Sequence, residues 1–409
     1  MKNQPAFNHP GCRPGGYAAL RAARCLPMTE VSASFGGTIG HTAECAVIRD
    51  ALVICRNGGI EAVGTWDELA DRLEAPALDL GEAVLCPGLV NAHTHVNLSH
   101  IRGKTASGQG FVPWVASLVH FLRTRPEAEE LDAAIAELSG CATVLVGDIV
   151  SSHVQRMTDA FVRSPVQWAP MVEFIGPGKT MRWPRELSEE DFLSFDTRGI
   201  SGHALYSTTP ELLTQSKSYA SAHGLPFVMH LAESPEETEM LQKGEGEMLG
   251  FYTRAGFVSP HFSAPGTNPV AYAHSLGLLD KDTLAIHCVQ VDAGDMELLE
   301  SSGATVCLCP RSNEYIGVGR APWEEFFASS IPVCIGTDGL SSNTSLDLFE
   351  ELRFMAARWQ NGPFPWRAAL RAVTCTPARV LKADGLFGSI APGKSARMAV
   401  LPSDIAEAL

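Results

Sequence analysis

The run Ala83-Val-Leu-Cys-Pro-Gly-Leu-Val-Asn-Ala-His-Thr-His95 decides the fold. Its apolar stretch reads as a buried strand, and it ends in two histidines one residue apart. Residues i and i+2 of a strand share a face. His93 and His95 therefore aim two imidazoles at one point, which suits a divalent metal. A His-x-His pair also occurs on plain surface strands. Here the Pro87-Gly88 step and the apolar Leu89-Val90 entry favour a buried strand end beside a loop.

Downstream, apolar runs of strand length recur. With the first they are Ala83–Val90, Ala142–Val150, Gln167–Ile175, Gly199–Leu205, Leu225–His230, Thr283–Val289, Ala304–Cys309 and Ile331–Ile335. Amphipathic helical patterns lie between them, among them Ala128–Leu138, Pro210–His223 and Asp295–Ser301. Buried strands alternating with helices imply parallel β/α units, and eight such units predict an α/β fold, a (β/α)8 TIM barrel. The structural alternative is an open doubly wound sheet. No Gly-x-Gly-x-x-Gly follows any of these strands, which weakens it.

The flanks read as β structure. Ala46-Val-Ile, Ala51-Leu-Val-Ile-Cys55 and Ile60-Glu-Ala-Val63, with a turn at Asn57-Gly-Gly59, have a hairpin signature within Glu44–Gly64. Pro392–Pro402 offers a turn and one strand. Both ends are expected to join in a small β-sandwich: residues 1–82 and 381–409 flank a barrel over 83–380. Residues 1–35 show no clear periodicity.

Composition narrows the function. The chain has 409 residues, 45% hydrophobic and 19% charged, room for one large domain and a smaller one. A net charge of −15 with no basic stripe argues against nucleic acid as the main partner. No apolar run reaches the roughly 18 residues of a membrane span. The N-terminus lacks a signal-peptide pattern. Eleven cysteines show no paired framework, so reduced thiols in the cytoplasm are expected. Cys307-Leu-Cys309 has the look of a metal pair, but small buried residues on a strand is the better reading.

Polar residues able to do chemistry sit where the strands end: His93 and His95, then His203, His230 with Glu233 beyond it, His287, and Asp338. In a barrel these ends meet at one face, where active sites lie. Any one of them alone could be a satisfied polar residue. Together they predict a metal centre. His93, His95, His230 and Asp338 suit zinc or ferrous iron, with a position left for water. Such a metal lowers the pKa of its water from about 16 to about 7. Glu233, three residues past His230, stands where a proton shuttle is needed. His287 could polarise water or substrate, and Asp338 could also accept the water proton. Arg311 or Arg102 could meet a substrate carboxylate through a charged fork, but a solvated surface position is the better reading of each.

These residues, in this order, resemble the amidohydrolase superfamily over nearly the whole chain. The resemblance rests on Pro87-Gly-Leu-Val-Asn-Ala-His-Thr-His95, His230-Leu-Ala-Glu233, His287-Cys288, Gly336-Thr-Asp338 and Gly388-Ser-Ile-Ala-Pro-Gly-Lys394. No metal-bridging lysine motif marks strand four, where His203 stands. The pattern is therefore similar to the mononuclear branch, which holds cytosine, guanine and adenosine-type deaminases and triazine hydrolases. The resemblance implies metal binding by His93, His95, His230 and Asp338. It also implies proton transfer by Glu233, water activation aided by His287, and substrate contact by His203. The His-x-Glu…Pro-Cys-x-x-Cys signature of nucleic-acid-editing deaminases is absent.

Leu98-Ser-His-Ile-Arg-Gly, Gly110-Phe-Val-Pro-Trp-Val, Glu233-Ser-Pro-Glu-Glu-Thr-Glu239, Asn268-Pro-Val-Ala-Tyr and Cys309-Pro-Arg-Ser-Asn313 carry a narrower resemblance. They are similar to 6-aminodeoxyfutalosine deaminases of the alternative menaquinone pathway. Close relatives of those enzymes act on methylthioadenosine, S-adenosylhomocysteine or adenosine. That resemblance implies a purine-nucleoside substrate touching His203, Asn97, Arg311 and Trp114, and pairing into a homodimer. One departure stands out: the family's usual glutamate two residues after the second metal histidine is here Asn97. The same ligands would also serve a triazine chlorohydrolase or aminohydrolase, a guanine or cytosine deaminase, or a metal-binding barrel without catalysis. Lys104–Trp114 and Gly244–Ala271, rich in glycine and proline, are expected to cover the site.

Overall fold

The computed structural model describes residues 16–29, 46–122, 124–258 and 262–409. Five strands come first: β1 (Tyr17–Cys25), β2 (Ile48–Arg56), β3 (Gly59–Thr65), β4 (Leu78–Asp79) and β5 (Val84–Pro87). Eight follow: β6 (Leu89–Thr94), β7 (Thr143–Val150), β8 (Gln167–Glu173), β9 (Gly199–Ser201), β10 (Phe227–Leu231), β11 (Thr283–His287), β12 (Thr305–Leu308) and β13 (Val333–Ile335). The last is β14 (Met398–Val400).

Strands β6 to β13 pair in sequence order, all parallel, with helices between them. This is the expected (β/α)8 barrel. Alternation sets its two layers. Val228 on β10, Leu284 and Ile286 on β11, Cys307 on β12 and Cys334 on β13 share one buried cluster. Their neighbours Phe227, Met229, Ala285, Val306 and Val333 belong to another. Period two produces this, one face packing inward and the other against helices. Cys307 and Cys309 are fully buried members of the first cluster, which agrees with the packing reading of that pair.

Between β13 and β6 the barrel is joined by discrete bonds. The Asp338 amide donates to the His93 carbonyl at 3.0 Å. The Asn91 side chain donates to Thr337 Oγ1 at 2.8 Å and accepts from its amide at 3.1 Å. This seam brings the first and last strand ends, and so their histidines and aspartate, side by side.

The chain ends meet in a six-stranded mixed sheet ordered β14-β5-β1-β2-β3, with β4 beside β1. The β2–β3 hairpin turns at Asn57 (φ 55°) and Gly58 (φ 82°), the left-handed pair that tight hairpins require. Two differences from the sequence reading appear. Ala83–Val90, read as one strand, is two: β5 lies in the terminal sheet and β6 opens the barrel. Gly88 is the pivot. A Cβ there would fall 2.3 Å from a Val144 methyl, so only glycine lets the chain cross between the sheets. Tyr17–Cys25, within the stretch without periodicity, is a strand, because both its faces are covered and alternation is lost. Residues 1–15, the stretch 30–35, and Glu44 and Cys45 of the expected hairpin segment lie outside the described residues.

Among the described residues, no helix is long and apolar enough to cross a membrane.

Candidate metal and catalytic site

Of the histidines singled out at strand ends, His95, His203, His230 and His287 line one cavity together with Glu233 and Asp338, and His93 lies fully buried against Asp338. The strands alone do not achieve this. Leu284 and Ile286 face the barrel interior, so strict alternation would turn His287 away. A left-handed φ of 73° at His287 breaks the alternation. His203 (52°), Ala232 (51°), Cys288 (45°) and Asp338 (59°) have the same backbone class. Such conformations cost non-glycine residues roughly 1–3 kcal/mol each and gather at functional sites.

The polar atoms converge. His93 Nε2 lies 3.4 Å from Asp338 Oδ1, and His95 Nε2 lies 3.7 Å from the same oxygen. The Nε2 atoms of His95 and His230 are 3.4 Å apart. His93 thus belongs to two triads of metal-ligating type, one with His95 and Asp338, one with His230 and His287.

Several side chains are oriented by partners behind them. His230 Nδ1 donates to the His203 carbonyl at 3.2 Å, so its Nε2 lone pair faces the cluster. His287 Nδ1 donates to Asn313 Oδ1 at 2.9 Å, which leaves its Nε2 facing Glu233 Oε1 at 3.5 Å. Asp338 Oδ2 accepts from Ser312 at 2.7 Å and Ser342 at 2.8 Å, and Oδ1 accepts from the Gly339 amide at 2.7 Å. Asp148, fully buried on β7, accepts from the Val96 amide (2.8 Å), Thr94 (2.9 Å) and Trp168 Nε1 (2.9 Å), and so fixes the chain beside His95.

The residues fit a metal ion on this structure's own evidence. Both ring nitrogens of His93 are buried with no hydrogen-bond partner. An orphaned buried polar atom costs roughly 1–3 kcal/mol, which a bound ion removes. Burial drives His95 down to about 3, and His230 well below its ordinary value. Both are then neutral imidazoles, the form that donates an electron pair. Burial alone would raise Asp338. The His93 imidazole, 3.4 Å from its Oδ1, and then the neighbouring His95 and His287 instead hold it well below the usual carboxylate range.

Glu233 has the opposite character. Burial first, then the charges of Asp338, Glu237 and Glu236, push its carboxyl well above 4.5. It can therefore hold a proton at neutral pH, next to the His287 Nε2 that burial has brought down to about 4.

The cavity, about 250 Å³, lies just below the usual range of small-molecule sites. Phe111, Trp114, Leu118, Tyr206, Tyr252 and Phe257 give it flat apolar walls. Of the expected substrate contacts, His203, Asn97 and Trp114 line it, and Trp114 is fixed by its Nε1 donating to the Ser341 carbonyl at 3.0 Å. Arg311 is not among the lining residues. Its Nη2 donates to Thr344 at 2.7 Å and its amide to buried Glu351 at 3.0 Å. Arg102 pairs with Glu137 at the surface. The covering segment Lys104–Trp114 is laced down: the Gly108 and Gly110 amides donate to Tyr315 and Ile316 carbonyls. Gly244–Ala271 contributes Tyr252 and Phe257; its residues 259–261 lie outside the described residues. Sequence reasoning missed Asp148, Glu173 and Asn313. Glu173 at least carries the signal that identified His203, a polar residue ending an apolar run.

The chain is similar to proteins of known activity. A 5-methylthioadenosine/S-adenosylhomocysteine deaminase of Nitratidesulfovibrio vulgaris (strain DSM 19637 / Miyazaki F) is 31% identical over 381 residues, covering 87% of this chain and 80% of the relative. An aminodeoxyfutalosine deaminase of Deinococcus radiodurans is 28% identical over 317 residues, covering 72% and 73%. The crystal structure of Helicobacter pylori aminofutalosine deaminase with methylthio-coformycin superimposes with a TM-score of 0.77 at 22% identity, covering 94% and 91%, a likeness of fold. The profile of the amidohydrolase family matches residues 84–409. With that match spanning the barrel and every strand-end residue described above, the chain belongs to the amidohydrolase family.

Proposed function

We propose that this chain is a metal-dependent hydrolytic deaminase of an adenine-type nucleoside, replacing the 6-amino group by oxygen and releasing ammonia. The observation that carries this reading is the facing pair Glu233 and His287, at 3.5 Å, in the wall of an aromatic-lined cavity beside the imidazole cluster. His93, His95, His230 and Asp338 would hold the ion, zinc or ferrous iron, which when bound supplies an acidified water.

The chain's own residues then divide the work. Glu233 gives its proton to the ring nitrogen next to C6 as water adds to that carbon, which stops charge building on the ring. Asp338 takes a proton from the attacking water. His287, its Nδ1–H committed to Asn313, presents a lone pair at Nε2 that aligns the new hydroxyl. Glu233, left as a carboxylate, then takes the proton of the new hydroxyl and passes it to the amino group, which departs as ammonia as the C–N bond breaks and the carbonyl forms; the proton held by Asp338 returns to Glu233. The walls of Phe111, Trp114 and Tyr206 exclude bulk water and hold the ring flat.

Within this class, the motifs around Leu98, Phe111 and Asn313 favour 6-aminodeoxyfutalosine. The relatives above carry names from the same class, including methylthioadenosine and S-adenosylhomocysteine. The test is ammonia release by metal-loaded protein offered aminodeoxyfutalosine, methylthioadenosine, S-adenosylhomocysteine, adenosine and guanine. Release from one or more of the four adenine-type nucleosides is expected. Release from guanine alone, or from none, would overturn the proposal.

A further inference from the structure

Glu173 ends β8 with a carboxyl that the mechanism above does not use. It lines the cavity, and its Oε1 is buried without a hydrogen-bond partner. Glu173, His203 and His230 bring their polar atoms within 4.8 Å of one another, on the β8–β9 flank of His230. Glu233 and His287 meet on the opposite, β10–β11 flank. Two carboxyls, the buried Glu233 and the half-buried Glu173, therefore stand on either side of His230, and only one is needed at the reacting edge of a ring.

We infer that Glu173 is the substrate-binding carboxyl for the sugar, accepting hydrogen bonds from the ribose hydroxyls of a nucleoside whose base lies against Glu233. The inference rests on the deaminase reading and adds a subsite to it. Burial pushes the Glu173 carboxyl up to about 8 in the free site, and the two O–H donors of a vicinal diol, one to each oxygen, would favour its ionised form, so the pair is complementary. The position fits as well. Glu173 and Ser151 line both the base cavity and a second cleft that continues outward past Lys179. The sugar, between the base and its 5′ substituent, belongs at that junction. A second metal fits less well. His230 commits Nδ1 to the His203 carbonyl and turns Nε2 toward His95, which leaves only Glu173 and His203 as donors.

The test compares wild type with Glu173→Gln and Glu173→Ala on 5′-methylthioadenosine and its 2′-deoxy analogue, with binding of purine riboside and 2′-deoxypurine riboside measured by calorimetry. Wild type is expected to prefer the ribosides by about 10- to 100-fold, the worth of one charged hydrogen bond. Glu173→Ala should erase that preference, chiefly through KM and Kd, and weaken the 2′-deoxy compounds less than the ribosides, since these still offer the 3′ hydroxyl. Glu173→Gln, close in shape and still an acceptor, should retain part of it. Equal losses on both sugars, or no sugar preference in wild type, would overturn the inference. So would the loss of a second equivalent of metal in the variants. If wild type releases ammonia from none of the adenine-type nucleosides named above, the functional reading fails. The binding measurement still decides the role of Glu173, because it needs no turnover.

Discussion

His287 Nε2 and Glu233 Oε1 face each other at 3.5 Å, one the end of β11 and the other the loop after β10. Burial and nearby acids favour the protonated carboxyl, and burial favours the neutral imidazole. The contact therefore sets a proton-bearing carboxyl against a lone pair, poised for transfer. Glu233→Gln keeps the shape and removes the transferable proton. It should retain wild-type metal content and lower kcat by about 10²- to 10⁴-fold, the usual worth of a positioned acid or base. Wild-type kcat in that variant would remove Glu233 from the mechanism.

Asn313 decides which nitrogen of His287 carries the proton. Its Oδ1 accepts from Nδ1 at 2.9 Å, deep in the protein. Asn313→Ala frees the ring to rotate and to change tautomer. A fall in kcat of about 10-fold or more is expected, with KM and metal content held, following the effect of removing a partner that orients an active imidazole. A variant that loses metal instead would show that Asn313 acts through the ligand cluster.

Much of this arrangement is legible in the sequence, and the parts that are not have a common cause. His93, His95, His203, His230, His287 and Asp338 could be picked because each interrupts an apolar run at its end, and a barrel gathers such ends. Asp148 could not. It sits inside a run that is otherwise all buried, and its partners come from two other places, Thr94 and Val96 at the end of β6 and Trp168 on β8, which meet it only when β6, β7 and β8 are side by side. Arg311, expected at the substrate from its charge and from the motif around it, has its guanidinium beside Thr344 and Glu351 and does not line the cavity. The division of Ala83–Val90 between two sheets depends on Gly88 passing against Val144, a contact 56 residues along the chain that no local pattern encodes.

Metal affinity should depend unusually little on acid. Ordinary histidine ligands titrate near 6.5, so protons displace metal as pH falls through that value. Burial already holds His95 at about 3 and His230 well below 6.5, so neither takes up a proton between pH 7.5 and 5.5. Zinc titrations of the metal-free protein across that range should show a shallower pH dependence than three ordinary histidines give. Chelation should abolish turnover and lower Tm, and added zinc or ferrous iron should restore both. A full three-proton dependence would mean that the imidazoles are solvated in the free protein.

Gly336 tests whether the seam between β13 and β6 sets the metal site. A Cβ on this residue would lie 2.8 Å from His93 Cβ, 2.9 Å from the His93 carbonyl oxygen and 3.0 Å from its amide nitrogen. None of these is the tip of a flexible side chain, so relief requires moving the β6 backbone. That movement would pull on the Asp338 amide bond to the His93 carbonyl, and with it on two ligands at once. Gly336→Ala should destabilise the protein by about 1–3 kcal/mol, as overpacking does, and should weaken metal retention. Gly385→Ala, where nothing lies within 4 Å of an added Cβ, is the control and should stay within about 0.5 kcal/mol. If Gly336→Ala matched this control in Tm and metal content, the close approach of the first and last strands would not be what holds His93 and Asp338 together.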